Sequence, residues 1–181
     1  MRKLIVFNSV TLDGHFVDMK GDMSWAHRDT KDAEWDAFVA GNARGGGVLV
    51  FGKITYELMA SYWPTPQAMR NDPVVAERMN SLPKVVFSRT LKKASWNNTK
   101  LVNGDTAVEV RKMKREPGEG MVIFGSGSIV SPLAQEGLID EYQIVLIPVV
   151  LCKGRGRTMF EGVMPLPSRE LYSAKEPGGH R

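Results

Sequence analysis

The stretch VLVFGKITYELM, residues 48–59, joins two periodicities at one glycine. Residues 48–51 form an unbroken apolar run, too short for a helix, which reads as a buried strand. Gly52 ends it. Residues 54–61 then follow a helical pattern that stops before Pro64, because the residue preceding a proline is disfavoured in the α region. Lys53 and Thr55 fall at the start of that helix, where unbonded N–H groups and the helix dipole attract anions. Taken singly, Gly52 reads equally well as a plain turn and Thr55 as a cap.

The same grammar recurs further along the chain. In MVIFGSGSIV, residues 121–124 read as a strand, and Ile129, Leu133 and Leu138 continue at helical spacing, with Pro132 expected in the first turn. Gly125, Ser126, Gly127 and Ser128 lie between the two. The run is not GxGxxG, because Val130 stands at the third glycine, so the fingerprint of a doubly wound dinucleotide domain fails. Alone, it favours a tight corner. A third strand, residues 84–88 in VVFSRTL, ends in Ser88, Arg89 and Thr90.

Other elements fill the intervals. Residues 3–10 read as a strand, 11–30 as a long polar loop, and 32–43 as a helix with Trp35, Phe38 and Val39 on one face. Helices are expected at 73–80 and 106–114. Strands are expected at 100–102, at 140–150 with Pro148 marking an edge, a bulge or a bend, and at 170–174. Alternating strands and helices predict one α/β domain over residues 1–181, with a mostly parallel central sheet flanked by helices. Ligands of such sheets bind outside the carboxyl ends of the strands. Three strand ends rich in glycine, hydroxyls and cations, if adjacent, would line one cleft of dinucleotide length.

Composition narrows the class. The 181 residues are 43% hydrophobic and 24% charged, which suits a domain with a sizeable core. No apolar run approaches the ~20 residues of a membrane span, so no membrane association is expected. The apolar start reads as a strand and not as a leader, since no small-residue cleavage site follows. The single cysteine, Cys152, excludes an internal disulfide and suits a reducing cytoplasm. Lacking a paired Cys or His, it reads as a structural thiol, and no metal site is expected. The formal charge of +4 fits an anionic ligand. Arg111, Lys112, Lys114 and Arg115 read as a solvated helix face, and Lys153, Arg155 and Arg157 as a basic turn. No aromatic interleaving or nucleic-acid motif accompanies them, so no nucleic-acid partner is expected.

Taken in order, the motifs resemble a known family. They are Val10-Thr11-Leu12-Asp13-Gly14, Gly52-Lys53-Ile54-Thr55-Tyr56-Glu57, Phe87-Ser88-Arg89-Thr90-Leu91, Gly125 to Val130, and the stretch from Leu138 to Phe160. The family is similar in fold to dihydrofolate reductase. It includes the C-terminal reductase domain of the bifunctional riboflavin-biosynthesis deaminase–reductase. The resemblance implies a reductase that binds NADPH and acts on a small molecule. The lead substrate is 5-amino-6-(5-phosphoribosylamino)uracil; the alternatives are a dihydrofolate or pteridine reductase, or an NADPH-binding module without turnover.

By the same resemblance, Gly52, Lys53 and Thr55 contact the cofactor phosphates, with Lys53 where the family usually has Arg. Ser88, Arg89 and Thr90 flank the adenosine 2′-phosphate. Gly125, Ser126, Gly127 and Ser128 cover the pyrophosphate with Ile129 beside them, and Val10 and Gly14 border the nicotinamide. Asp36 lies sixteen residues before Gly52, the interval at which many bacterial dihydrofolate reductases keep their acid; Asp13 is the second acidic candidate. Its alternative is an Asp-Gly turn, and that of Asp36 a solvated helix carboxylate. His15 and His27 read as exposed loop histidines. Trp25, Tyr56, Met59 and Trp63 are candidates for the substrate wall, with core packing as the alternative. Finally, the apolar strand at 140–150, left with an open edge by a short chain end, predicts a homodimer.

Overall fold

The computed structural model describes residues 1–26, 47–151 and 156–158. Among these residues six strands form the central sheet: β1 (Leu4–Thr11), β3 (Val48–Gly52), β4 (Lys84–Phe87), β5 (Thr99–Val102), β6 (Met121–Phe124) and β7 (Glu141–Ile147). Every pairing is parallel and the order is β5-β4-β3-β6-β1-β7. A separate antiparallel ribbon joins β2 (His15–Asp18) to β8 (Gly156–Thr158).

Among the described residues, five helices accompany the sheet: α1 (Lys53–Tyr62), α2 (Pro66–Asn71), α3 (Pro73–Ser81), α4 (Thr106–Arg115) and α5 (Gly127–Gln135). The period-two alternation of the strands sorts their side chains into two cores. Val50, Val85 and Ile123 pack with Val110 of α4 and with Ile129, Val130 and Leu133 of α5. Leu49, Phe51 and Val86 pack with Tyr56 of α1, Met79 of α3 and Trp96. No described helix is long and apolar enough to cross a membrane.

Local chemistry sets the helix starts. Asp105 caps α4 by accepting from the Val108 N–H at 2.9 Å, and Thr65 caps α2 by accepting from Ala68 at 3.2 Å. Pro66 and Pro73 occupy first-turn positions, where the missing N–H costs nothing.

Several expectations are corrected. The loop expected at 11–30 contains β2 and a 3₁₀ turn at Ser24–Ala26, and α2 occupies a stretch to which the sequence pattern assigns no element. Pro132 lies in the second turn of α5, because the helix starts at Gly127. The 140–150 strand is shorter, ending before Pro148, and it is an edge of the sheet among the described residues. Lys114 is not solvated. It is buried, donates to the Leu138 carbonyl at 2.9 Å and pairs with Asp140, whose carboxylate also accepts from the Leu4 N–H. The expected helix at 32–43 and strand at 170–174 lie outside the described residues.

Candidate functional site

β3 and β6 are neighbours, yet the chain leaves them in opposite directions. β3 leads to β4 and β5, whereas β6 passes β1 to reach β7. Such a switch point opens a crevice outside the carboxyl ends of the strands. The strand-to-helix turns that meet there are those at Gly52 and Gly125. They are packed against each other: a Cβ on Gly52 would lie 2.0 Å from Ser126 Oγ, and one on Gly125 2.9 Å from Thr55 Oγ1. Gly125 also has φ +60, a left-handed conformation.

Ser126 shares that conformation at φ 62, where a side chain costs about 1–2 kcal/mol. Its surroundings hold it there. The preceding N–H, of Gly125, donates to Asn8 Oδ1 at 2.6 Å, and Asn8 is buried on β1. The Ser126 carbonyl accepts from both Ile129 and Val130, at 2.9 and 3.0 Å. The strained turn is thereby bolted to the strand and to the helix that follows.

Neither α1 nor α5 has a side-chain cap. Among the described residues the N–H groups of Gly127 and Ser128 have no acceptor. Two helix amino ends with their partial positive charge therefore meet at one crevice, which is what an anion requires. Lys53 lines the cleft; its nearest partner is Glu57 at 3.9 Å, a solvent-facing pair of small worth.

β4 lies beside β3, so the third expected strand end is next in line. Phe87 lines the cleft, and Ser88, Arg89 and Thr90 follow directly outside its lining. The Ser88 hydroxyl accepts from the N–H groups of Thr90 and Leu91 at 3.1 and 2.9 Å, which shapes the turn. Arg89 is exposed and has no ion-pair partner among the described residues. The three strand ends expected to cooperate are thus consecutive, in the order β4-β3-β6.

At the carboxyl end of β1, Asp13 organises a turn. Its carboxylate accepts from the Thr11 hydroxyl at 2.6 Å and, with both oxygens, from the Leu151 N–H at 3.3 and 3.2 Å. His15 Nδ1 lies 3.3 Å away but is not aligned for a hydrogen bond. The Thr11 hydroxyl, opposed by a smaller desolvation penalty and aided by Leu151, holds the Asp13 pKa down at about 2. Asp13 is therefore an ionised turn-former at neutral pH, a poor donor of protons. Gly14 takes φ +80 in the same turn, with open space where a Cβ would be.

The remaining expected residues divide. Tyr56 is corrected from substrate wall to core: it is 2% exposed, packs on Phe51 and Trp96, and its hydroxyl accepts from the Trp96 N–H at 2.8 Å. Met59 and Trp63 both line the cleft, with the Trp63 indole N–H 3.1 Å from the Met59 sulfur. Trp25 lies in the 3₁₀ turn, while its neighbours Met23 and Ala26 line the cleft. Val10 and Ile129 are buried in the core, so only their backbones are available to a ligand. Asp36, His27, Cys152, Lys153 and Arg155 lie outside the described residues. Among the lining residues that were not anticipated are Asn8, Phe7, Phe124 and Gln143. The alternation of Ile5, Phe7 and Ser9 on one face of β1 is the signal that could have found Phe7.

The sequence is 28% identical to the uncharacterized protein YyaP of Bacillus subtilis (strain 168) over 159 residues, 88% of this chain and 80% of that one. It is 25% identical to YwjB of the same organism, also uncharacterized, over 98% of this chain and 93% of the other. Among solved structures, the fold is similar to that of a "Putative riboflavin biosynthesis protein" from Shewanella sp. PV-4. The TM-score is 0.64 at 25% identity, covering 90% of this chain and 85% of that one. The RibD C-terminal domain model matches residues 2–176. A match over that span, on a six-stranded parallel sheet with its switch point at Gly52 and Gly125, places this chain in the RibD C-terminal domain family.

Proposed function

We propose that this protein is an NADPH-dependent reductase of a small heterocyclic substrate, with 5-amino-6-(5-phosphoribosylamino)uracil as lead and dihydropteridines next. The observation that carries the reading is the meeting of two uncapped helix amino ends at the β3/β6 switch point, with Lys53 on one of them. The donor set fits the cofactor: amide N–H groups for a pyrophosphate, and Arg89, one strand away, for a 2′-phosphate. Membership of a reductase family and the riboflavin-biosynthesis name of the Shewanella neighbour support it.

When bound, NADPH supplies the hydride, and the chain supplies binding and orientation. The turns at Gly52 and Gly125 hold the pyrophosphate. Val10 and Gly14, at the carboxyl end of β1, would border the nicotinamide. Asp13, ionised, keeps that turn in shape. Phe7 and Phe124 line the cleft with apolar rings set edge to face, which helps exclude water from the reacting rings. Arg157 on β8 also lines the cleft and suits an anionic group on the substrate. We place the protein in the cytoplasm, as a homodimer.

Fluorescence titration with NADPH and with NADH tests the cofactor, and loss of NADPH absorbance on adding each candidate substrate tests the reaction. We expect NADPH to bind more tightly than NADH and to be consumed with at least one heterocycle. No binding of either nucleotide overturns the reading; binding without turnover leaves a nucleotide-binding module.

A further inference from the structure

We infer that Gln143 is the residue that reads the substrate, and that it selects a heterocycle carrying a lactam or amino N–H on its edge. The inference rests on the proposed reduction of a heterocycle and adds the recognition chemistry of that site.

Strand register sets the geometry. Phe7 of β1 pairs with Phe124 of β6 on one side and with Gln143 of β7 on the other. In parallel strands, paired residues project from the same face, so the three side chains stand abreast. Phe7 and Phe124 meet edge to face at 5.8 Å, and Phe51 extends the row by stacking on Phe124 at 6.1 Å. Phe51 is fully buried, whereas Phe124, Phe7 and Gln143 line the cleft. On this stretch of the cleft wall, two aromatic rings are therefore followed by one carboxamide.

That carboxamide is oriented. Gln143 Nε2 donates to Glu141 Oε1 at 2.7 Å, two residues back on the same face of β7. With its nitrogen turned towards Glu141, the amide presents Oε1 on the opposite side, and Oε1 has no partner among the described residues. A fixed acceptor beside two cleft-lining phenyl rings is complementary to a planar ring that packs against one of them and donates one edge N–H. Uracils and pterins have that edge; unsubstituted pteridine lacks it. Asymmetric discrimination follows, because a ring without the donor would leave the carboxamide oxygen desolvated and unpaired.

The test is equilibrium titration of the NADP⁺-saturated full chain with pterin and with unsubstituted pteridine, on wild type, Gln143→Leu and Glu141→Met. Wild type should bind pterin at least tenfold more tightly than pteridine. Gln143→Leu should weaken pterin about tenfold and leave pteridine, NADPH affinity and melting temperature unchanged. With a turned-over substrate it should raise KM and leave kcat within about twofold, as for a lost ground-state contact. Glu141→Met, which keeps Gln143 but removes the acceptor that orients it, should weaken pterin alone by a smaller factor, and it tests the inference even if the leucine variant misfolds. NADPH binding with equal affinity for the two rings, or equal losses for both rings in the variants, overturns the role of Gln143 and spares the cofactor reading. Absence of NADPH binding in wild type overturns both.

Discussion

Replacing Gly52 with alanine should damage the molecule through one identifiable atom. The new Cβ would lie 2.0 Å from Ser126 Oγ and 3.1 Å from Ser126 Cβ. Two costs arise. Alanine is a worse N-cap than glycine, which costs roughly 0.5–1 kcal/mol and has nothing to do with Ser126. The steric cost, on the order of 1–3 kcal/mol for forced overpacking, requires the Ser126 side chain. Gly52→Ala should therefore lower stability by about 2–4 kcal/mol, and in a chain of this size the melting temperature by about 2–4 °C for each of these. Ser126→Gly removes the obstructing atoms and relieves a left-handed residue at φ 62. In that background the nearest remaining contact of the alanine methyl is Ile129 Cδ1 at 3.4 Å, so only the cap cost should survive. A double-mutant cycle by denaturant unfolding should give a favourable coupling of at least about 1 kcal/mol. NADPH affinity should follow the same pattern, falling in Gly52→Ala and recovering in the double variant. Additivity within about 0.5 kcal/mol would refute the contact between the two turns as the basis of the site.

Three further outcomes are expected. Arg89→Ala should weaken NADPH about tenfold, the loss of one charge-assisted contact, and leave NADH unchanged; equal effects on both in calorimetry would place Arg89 away from the 2′-phosphate. Lys84 is buried and donates to the carbonyls of Asn80, Leu82 and Asn97, while burial lowers its pKa from 10.5 to about 8. The unfolded chain thus holds more protons between those values, so wild type should gain stability relative to Lys84→Met as pH rises from 8 to 10.5. At pH 7 that variant should be less stable by about 2–4 kcal/mol, three carbonyls having lost their donor; a flat difference across the alkaline range would show that the lysine titrates normally. Ile144 and Leu146 are exposed on β7 at 42% and 58%, and light scattering should find a dimer that Leu146→Asp dissociates; a wild-type monomer at micromolar concentration would refute the proposed homodimer.

Much of the fold was legible because parallel strands buried on both faces are written as short apolar runs. Val48-Leu49-Val50-Phe51 and Met121-Val122-Ile123-Phe124 have no competing periodicity, and each stops at a glycine. The β2–β8 ribbon was not legible. Gly156-Arg157-Thr158 has no apolar pattern, and its pairing depends on contact: a Cβ on Gly156 would lie 2.6 Å from the His15 ring. α2 hid behind Thr65 and two prolines that look like loop punctuation, when Thr65 and Pro66 in fact supply the cap and the first position. Lys114 and Tyr56 were misjudged for one reason. Helical spacing says which residues share a face, but only the packed neighbour shows whether that face meets water, a carboxylate or a tryptophan.

The candidate site was legible as three separate weak signals and not as a site. Gly52 and Gly125 are 73 positions apart, and each alone reads as a corner. What turns two corners into one anion cradle is the strand order, which sets β6 beside β3 although β4 and β5 intervene in the chain. The residue that secures the cradle carries even less signal. Asn8 sits between Phe7 and Ser9 in a strand, where asparagine is disfavoured, and its role appears only once β1 lies against β6 and its side chain reaches the Gly125 N–H. A polar residue that violates strand propensity, one strand away from a glycine turn, is where the sequence departs from its own local rules. Such departures concentrate at sites whose geometry must be held against strain, and the left-handed Ser126 beside Gly125 is the strain that Asn8 holds.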